Sequence, residues 1–235
     1  MHYLFLDESY RQGKGQRTIV IAAWAIEQLG INRFAERLSE LYRPPVLARI
    51  DSVLNSLDAQ AVVGSATLDA TIFRPGEIDG TNDIAAMART DNIWSQCSIF
   101  LVGALIRQLL HGGHEVGTID IHFDPKSLKR DHAEAIERTL RELLVPEAKR
   151  YASERGSRLL RKLTIRRFQP VTKPRAGQSP DKCQMGTWVA HKLCSYFNRI
   201  RETGPTARIR TFDMSDVVRR TVQQFDGKSF YEAPS

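Results

Sequence analysis

Two apolar runs in this chain end in a carboxylate. His2-Tyr3-Leu4-Phe5-Leu6 leads into Asp7-Glu8-Ser9, and Thr118-Ile119-Asp120-Ile121-His122-Phe123 leads into Asp124. Each run reads as a β-strand. Strands that finish in acids hold a divalent cation when they lie side by side, because Mg²⁺ and Mn²⁺ favour oxygen ligands and engage phosphates through one or two carboxylates. The pattern points to phosphodiester chemistry, with Asp7 and Asp124 as candidate catalytic residues and metal ligands. Each acid also has a plain alternative: Asp7 simply ends a strand, and Asp124 caps the helix that follows. Glu8 falls on the opposite face of its strand by alternation, so a structural role or a basic partner is expected for it.

The elements that must position these acids alternate between strand and helix. Residues 2–7 and 18–26 read as a hairpin about the turn 12–16, the second arm almost continuously apolar. Helices are expected from Ile31 to the Pro44-Pro45 pair and over 47–57, then a strand over 60–68 and a loop around Arg74-Pro75-Gly76. A long helix over 82–110 closes at Gly112-Gly113. Strand 117–124 separates Ile119, Ile121 and Phe123 from Asp120, His122 and Asp124. A helix over 131–144 turns Ile136, Leu140, Leu143 and Leu144 inward, and residues 159–168 form a further strand. The last clear helix carries Met185, Trp188, Val189, Leu193, Tyr196, Phe197 and Ile200 at helical spacing. This divides the chain into an α/β domain over 1–204 and a polar C-terminal appendage over 205–235.

Composition sets bounds on partners. A chain of 235 residues, 42% hydrophobic and 26% charged, has the balance of an ordinary globular protein with one well-filled core. The apolar stretch from Ile99 to Leu110 is broken at Arg107-Gln108 and is short for a bilayer, so no membrane partner is expected. No basic-then-apolar leader precedes Asp7, and Cys97, Cys183 and Cys194 form neither a paired framework nor a CxxC site, so a reducing cytoplasm is the expected location. Charge is unevenly spread. Residues 1–120 hold 10 Lys/Arg against 14 Asp/Glu, and residues 121–235 hold 24 against 13. Arg161, Lys162, Arg166, Arg167, Lys173 and Arg175 concentrate this charge ahead of the last helix, as candidate nucleic-acid-binding residues. A solvated, solubilising edge strand explains the same residues.

Taken in order, Leu4-Phe5-Leu6-Asp7-Glu8-Ser9, Phe123-Asp124 and Gln184-Met185-Gly186-Thr187-Trp188-Val189-Ala190 resemble the domain-of-unknown-function family 3800 over roughly residues 1–200. That family opens with an apolar run into Asp-Glu-Ser and closes with a Gln-x-Ala-Asp-x-x-Ala helix. The resemblance implies a ribonuclease H-like mixed sheet flanked by helices, whose first strand lies beside the strand after the long central helix. It further implies Mg²⁺- or Mn²⁺-dependent cleavage of DNA or RNA, with three or four carboxylates around two ions and Asp7 and Asp124 as the central ligands. The chain departs from the pattern at the family's last aspartate, where Thr187 offers only a hydroxyl. His191, one turn further on, Asp181, just before the helix, and Asp69, after the third strand, are the residues that could replace it.

Other strings are weaker. His111-Gly112-Gly113-His114 reads as a helix end without an acidic ligand at zinc spacing, and Gly13-Lys14-Gly15 is a turn, not a phosphate loop. Trp24, Trp94 and Trp188 sit in apolar runs and belong to the core. Two functions stay open: a metal-dependent nuclease, or a catalytically degenerate module on the same fold that binds nucleic acid, a protein partner or a second copy of itself. They differ in whether a third ligand reaches Asp7 and Asp124.

Overall fold

The protein is described here by a computed structural model covering residues 1–13, 16–31, 33–34, 47–69, 84–124, 130–154, 160–172, 178–199, 206 and 208–225. The expected helix end at Pro44-Pro45, the loop at 74–76, and Lys173, Arg175 and Ile200 lie outside the described residues.

The hairpin forms as its turn and apolar arms dictate. Strand β1 (His2–Gly13) pairs antiparallel with β2 (Gln16–Glu27), from His2 opposite Glu27 to Gly13 opposite Gln16. Helix α1 (Leu47–Ser56) leads to β3 (Gln60–Asp69), which pairs antiparallel with β2. The long α2 (Ile84–His111) crosses back to β4 (Val116–Phe123), which lies parallel to β1. From there α3 (Arg130–Thr139), α4 (Val145–Glu154), β5 (Leu160–Pro170), α5 (Lys182–Arg199), β6 (Ile209–Asp213) and α6 (Ser215–Phe225) complete the chain. The six strands stand in the order β5-β4-β1-β2-β3-β6. This is a mixed α/β sheet flanked by helices, with the first strand beside the strand that follows the long central helix.

Alternation divides β1 and β4 between two cores. Leu4, Leu6, Ile119, Ile121 and Phe123 pack with Leu101 and Leu105 of α2, and Ile136 and Val218 join them from α3 and α6. On the opposite face Phe5 and Trp24 pack with Ile50 and Leu54 of α1 and Val189 and Leu193 of α5. Residues Asn92–His111 are long and apolar enough to cross a membrane, and 72% of that window is buried inside the protein. Its apolarity serves the core beneath the sheet.

Two expectations change in detail. The helix expected over 131–144 runs on to Glu154 through a wider π turn at Leu140–Leu144. Pro146 has no N–H to give to the preceding turn, and a π turn absorbs that missing bond. The extra residue rotates Leu143 outward, where it is 62% exposed instead of facing inward. The stretch read as an appendage supplies β6, which pairs parallel with β3, and α6, whose Val218 is fully buried with Met214 just ahead of it. Edge-strand β6 is mostly exposed beyond Ile209, so it shows little apolar signal in the sequence.

Candidate active site

Parallel pairing of β1 with β4 stops where β4 ends; β1 does not end at Asp7, as its apolar run suggested, but continues to Gly13 against β2. The register runs from His2 opposite Ile119 to Leu6 opposite Phe123, and the Asp124 amide then donates to the Leu6 carbonyl at 3.4 Å. Asp7 and Asp124 are therefore the next residues along two strands whose backbones lie about 4.8 Å apart. Asp7 is 1% exposed. Its Oδ1 accepts the Glu8 amide at 2.8 Å, and its Oδ2 lies 2.8 Å from Nδ1 of His191.

Helix α5 reaches Asp7 because of what caps it and what it lacks. Asp181 and Gln184 form a reciprocal cap: the Gln184 amide donates to Asp181 Oδ1 at 2.8 Å, and the Asp181 amide donates to Gln184 Oε1 at 2.9 Å. Gln184 also donates to the Thr172 carbonyl, tying the helix start to the segment that follows β5. Gly186 lies against Phe5, where an added Cβ would fall 2.2 Å from the ring, and its carbonyl accepts the Trp24 indole N–H at 2.8 Å. That close approach brings a polar stripe of α5 along β1. His191 meets the Asp7 carboxylate, the Cys194 thiol donates to the Asp7 carbonyl at 2.9 Å, and Asn198 donates to Ser9 Oγ at 2.8 Å.

The proposed replacements for the missing aspartate separate clearly. His191 is in contact with Asp7, with a side chain 46% exposed. Asp181 is exposed and occupied as the cap of α5. Asp69 ends β3, where it pairs with Gln16, whereas Asp7 aligns through Ala22 with Val63. Six residues of strand, roughly 20 Å, separate Asp69 from that level. Thr187 is buried, and its hydroxyl donates back to the Cys183 and Gln184 carbonyls. Glu8 does face the other side of the sheet, where it accepts the Trp94 indole N–H at 2.9 Å.

The same face of β4 holds two further polar groups that the sequence did not single out. Asp120, 1% exposed, accepts a two-pronged hydrogen bond from the Arg166 guanidinium, Nε to Oδ1 at 2.8 Å and Nη2 to Oδ2. That bond raises the Arg166 pKa. A bulge sets this up: Ile119 pairs with Ile165 but Asp120 pairs with Arg167, so one extra residue places both Arg166 and Arg167 on the outside. Lys162 and Arg161 precede them in β5. His122 is 2% exposed, stacked against Tyr3 and Phe5, with Cys183 Sγ at 3.7 Å from Nε2 and the Gln169 amide at 3.3 Å from Nδ1. The order thiol, imidazole, amide is that of a cysteine nucleophile, but burial pushes the Cys183 thiol up and the His122 imidazole down. Both groups are thereby held neutral, the opposite of an activated thiolate.

Asp7, His191 and Ser195 also stand in the order of a hydrolytic triad, with Ser195 Oγ 3.4 Å from His191 Nε2. Ser195 lies within α5, where backbone N–H groups are spent on helical bonds and offer no oxyanion site.

Asp7, Asp124 and His191 are not among the described groups whose ligand atoms all lie within 4.8 Å of one another, so a metal here requires the Asp7 and Asp124 carboxylates to turn toward each other. Asp7, midway along β1, and Asp124, just past the end of β4, stand on neighbouring strands, and His191 is hydrogen-bonded to Asp7 from the solvent side. Of the other acids on this face among the described residues, Asp120 is clamped by Arg166 and Asp181 caps α5. The donor set suits one ion better than a bridged pair, which draws on three or four carboxylates. Beside the site, a groove of about 410 Å³ is lined by Arg11, Thr18, Thr67, Phe197, Asn198 and Asp213, among others.

No protein-family model matches this chain, and no curated protein matches it. Solved structures with a similar course include the ribonuclease HII of Archaeoglobus fulgidus in complex with PCNA, at 12% identity and a TM-score of 0.36, covering 100% of this chain and 84% of that one. Bst-RNase HIII in complex with Mn²⁺ matches at 14% identity and a TM-score of 0.32, over 99% of this chain and 67% of that one. A mutant form of Bst-RNase HIII matches at 17% identity and a TM-score of 0.32, over 83% of this chain and 50% of that one. Scores this low carry no argument about site or activity. The fold class rests on the connectivity itself: three antiparallel strands, then two crossovers that place β4 and β5 parallel to β1 on its free side. The chain has a mixed six-stranded α/β fold flanked by helices.

Proposed function

We propose that this protein is a divalent-metal-dependent nuclease of the kind its resemblance to family 3800 implies, acting on DNA or RNA at Asp7 and Asp124 of neighbouring strands. The observation that carries this reading is the register that sets Asp124 beside Asp7, with His191 of α5 closing on the Asp7 carboxylate. Asp7 and Asp124 would hold Mg²⁺ or Mn²⁺, which supplies positive charge to a scissile phosphate. Asp7 orients the His191 ring through Nδ1, leaving Nε2 turned toward Ser195 and able to take or give a proton. Exposed Arg167 would draw the phosphate backbone to this face, and Arg161 and Lys162 belong to the same edge strand. Arg166 is already committed to Asp120, so its part is to neutralise that buried acid.

Incubating the purified protein with single-stranded and duplex DNA and RNA, with Mg²⁺, Mn²⁺ or chelator, tests the reading. It requires metal-dependent cleavage that Asp7→Asn and Asp124→Asn abolish while the fold is retained. Binding that weakens with salt by a log–log slope of about −0.7 per single-strand phosphate contact accompanies it.

One observation favours a second reading, a catalytically degenerate module that binds without cutting. Thr187 replaces the family's aspartate and turns its hydroxyl back onto its own helix. Salt-dependent binding with no cleavage under any metal selects this reading.

A further inference from the structure

At the start of β1, five residues before Asp7, three side chains from distant parts of the chain converge. His2 opens β1 and Glu27 closes β2 directly across from it. His114 follows Gly113, whose φ of 82° ends α2 in the left-handed turn that only glycine adopts freely. One ligand atom from each residue lies within 4.8 Å of the others. His2 Nε2 is 3.7 Å from Glu27 Oε1, and His114 Nδ1 is 3.9 Å from the same oxygen. His2 is 1% exposed, and neither of its ring nitrogens has a hydrogen-bond partner. It continues the stripe of Leu4 and Leu6, where packing alone would be served by another aliphatic residue. Native interiors rarely leave a buried polar group unmatched without a reason.

We propose that His2, Glu27 and His114 form a binding site for a zinc-class divalent transition ion. Two imidazoles and a carboxylate make a recognised zinc donor set, with bonds of about 2.0–2.2 Å that put tetrahedral ligand atoms roughly 3.4 Å apart. The separations of 3.7 and 3.9 Å need only small side-chain shifts to reach that geometry. Asp58 lies beside the three-residue group, its Oδ2 3.9 Å from His114 Nδ1 and its Oδ1 accepting from Arg208 at 2.8 Å, so the fourth position is left to water. Gly112 packs under the His114 ring, where a Cβ would sit 3.0 Å from Cδ2. Glu27, 48% exposed, opens the site to solvent.

Imidazole ligands favour zinc over Mg²⁺, which seeks an all-oxygen shell, so this site and the Asp7 site select different ions. Five residues of strand, roughly 17 Å, separate them. A bound ion would tie the start of β1, the end of β2 and the α2–β4 turn together, a structural clamp independent of the nuclease reading.

The test is Zn²⁺ titration of the chelator-stripped full chain by calorimetry, with Co²⁺ absorption as a second readout. The expected result is one Zn²⁺ per chain, the visible bands of four-coordinate Co²⁺, and binding weakened tenfold or more in Glu27→Gln and in His114→Gln. Glu27→Gln changes a half-exposed side chain, so its fold survives and its result stands even where His114→Gln is unstable. Asp7→Asn keeps the zinc. Absence of zinc binding in the wild type, or binding undiminished in Glu27→Gln, overturns the proposal.

Discussion

The two faces of one sheet divide the work. On the α2 side, Leu4, Leu6, Ile119, Ile121 and Phe123 meet an apolar helix and are almost wholly buried. On the α5 side the same strands present Phe5, Asp7, Asp120 and His122, and each polar group there has a specific partner. Apolar burial is tolerant of geometry and supplies stability at about 25 cal/mol per Å². Buried charge must be met by a placed donor, so the α5 side holds its groups in fixed orientation. Both faces carry an apolar core, but the α5 side also holds the buried carboxylates near the candidate active site.

The largest effect should come from cutting into the α2 face. Leu105→Ala, at a fully buried position, is expected to cost about 2–5 kcal/mol in denaturant unfolding while leaving metal affinity of the folded fraction unchanged. Gly186→Ala attacks the seam on the other side. Its methyl would overlap the Phe5 ring, which is locked between Trp24 and His122, so a loss of about 1–3 kcal/mol is expected despite alanine's better helix propensity. It should also separate His191 from Asp7 and lower cleavage, which Leu105→Ala would not do; the reverse pattern would erase the distinction between the faces.

Thr187→Asp adds a carboxylate where the family that the chain resembles has one. Without metal the buried charge should lower stability by about 1–3 kcal/mol, and Mn²⁺ should restore it if the new acid reaches the site of Asp7 and Asp124. Calorimetry with and without Mn²⁺ reads this directly.

A pH response is shared by both faces. Burial lowers the His2 pKa to about 4 and lowers that of His122. The unfolded chain binds these protons first, so the stability each contributes is present above pH 6.5 and is lost as pH falls toward the folded values. With chelator present, His2→Leu should flatten this acid limb of the unfolding profile. A profile unchanged by that substitution would show that His2 does not titrate this way.

Much of this layout is legible in the residues. Alternation in 117–124 separates the two faces, and the apolar runs into Asp7 and Asp124 mark two neighbouring strands, although β1 runs on past Asp7 to Gly13 because the hairpin with β2 continues. Helix phase places His191 one turn from Thr187, but whether it reaches Asp7 depends on Gly186 letting α5 settle against Phe5. The stripe Thr187, His191, Cys194, Asn198, spaced four, three and four, is the sign in the sequence that α5 carries a polar face as well as an apolar one. The bulge that turns Arg166 and Arg167 outward leaves no mark in local sequence. His2, Glu27 and His114 come from three separate segments, so their meeting exists only once the sheet has formed. The glycines of His111-Gly112-Gly113-His114 do end a helix, while the partners of His114 lie 87 and 112 residues away in the chain.

Anomalous diffraction from a crystal soaked in Mn²⁺ tests the central claim most directly. The account predicts a peak about 2.0–2.2 Å from carboxylate oxygens of both Asp7 and Asp124, absent in Asp124→Asn. No peak there, with His191 still paired to Asp7 in well-ordered density, would contradict it.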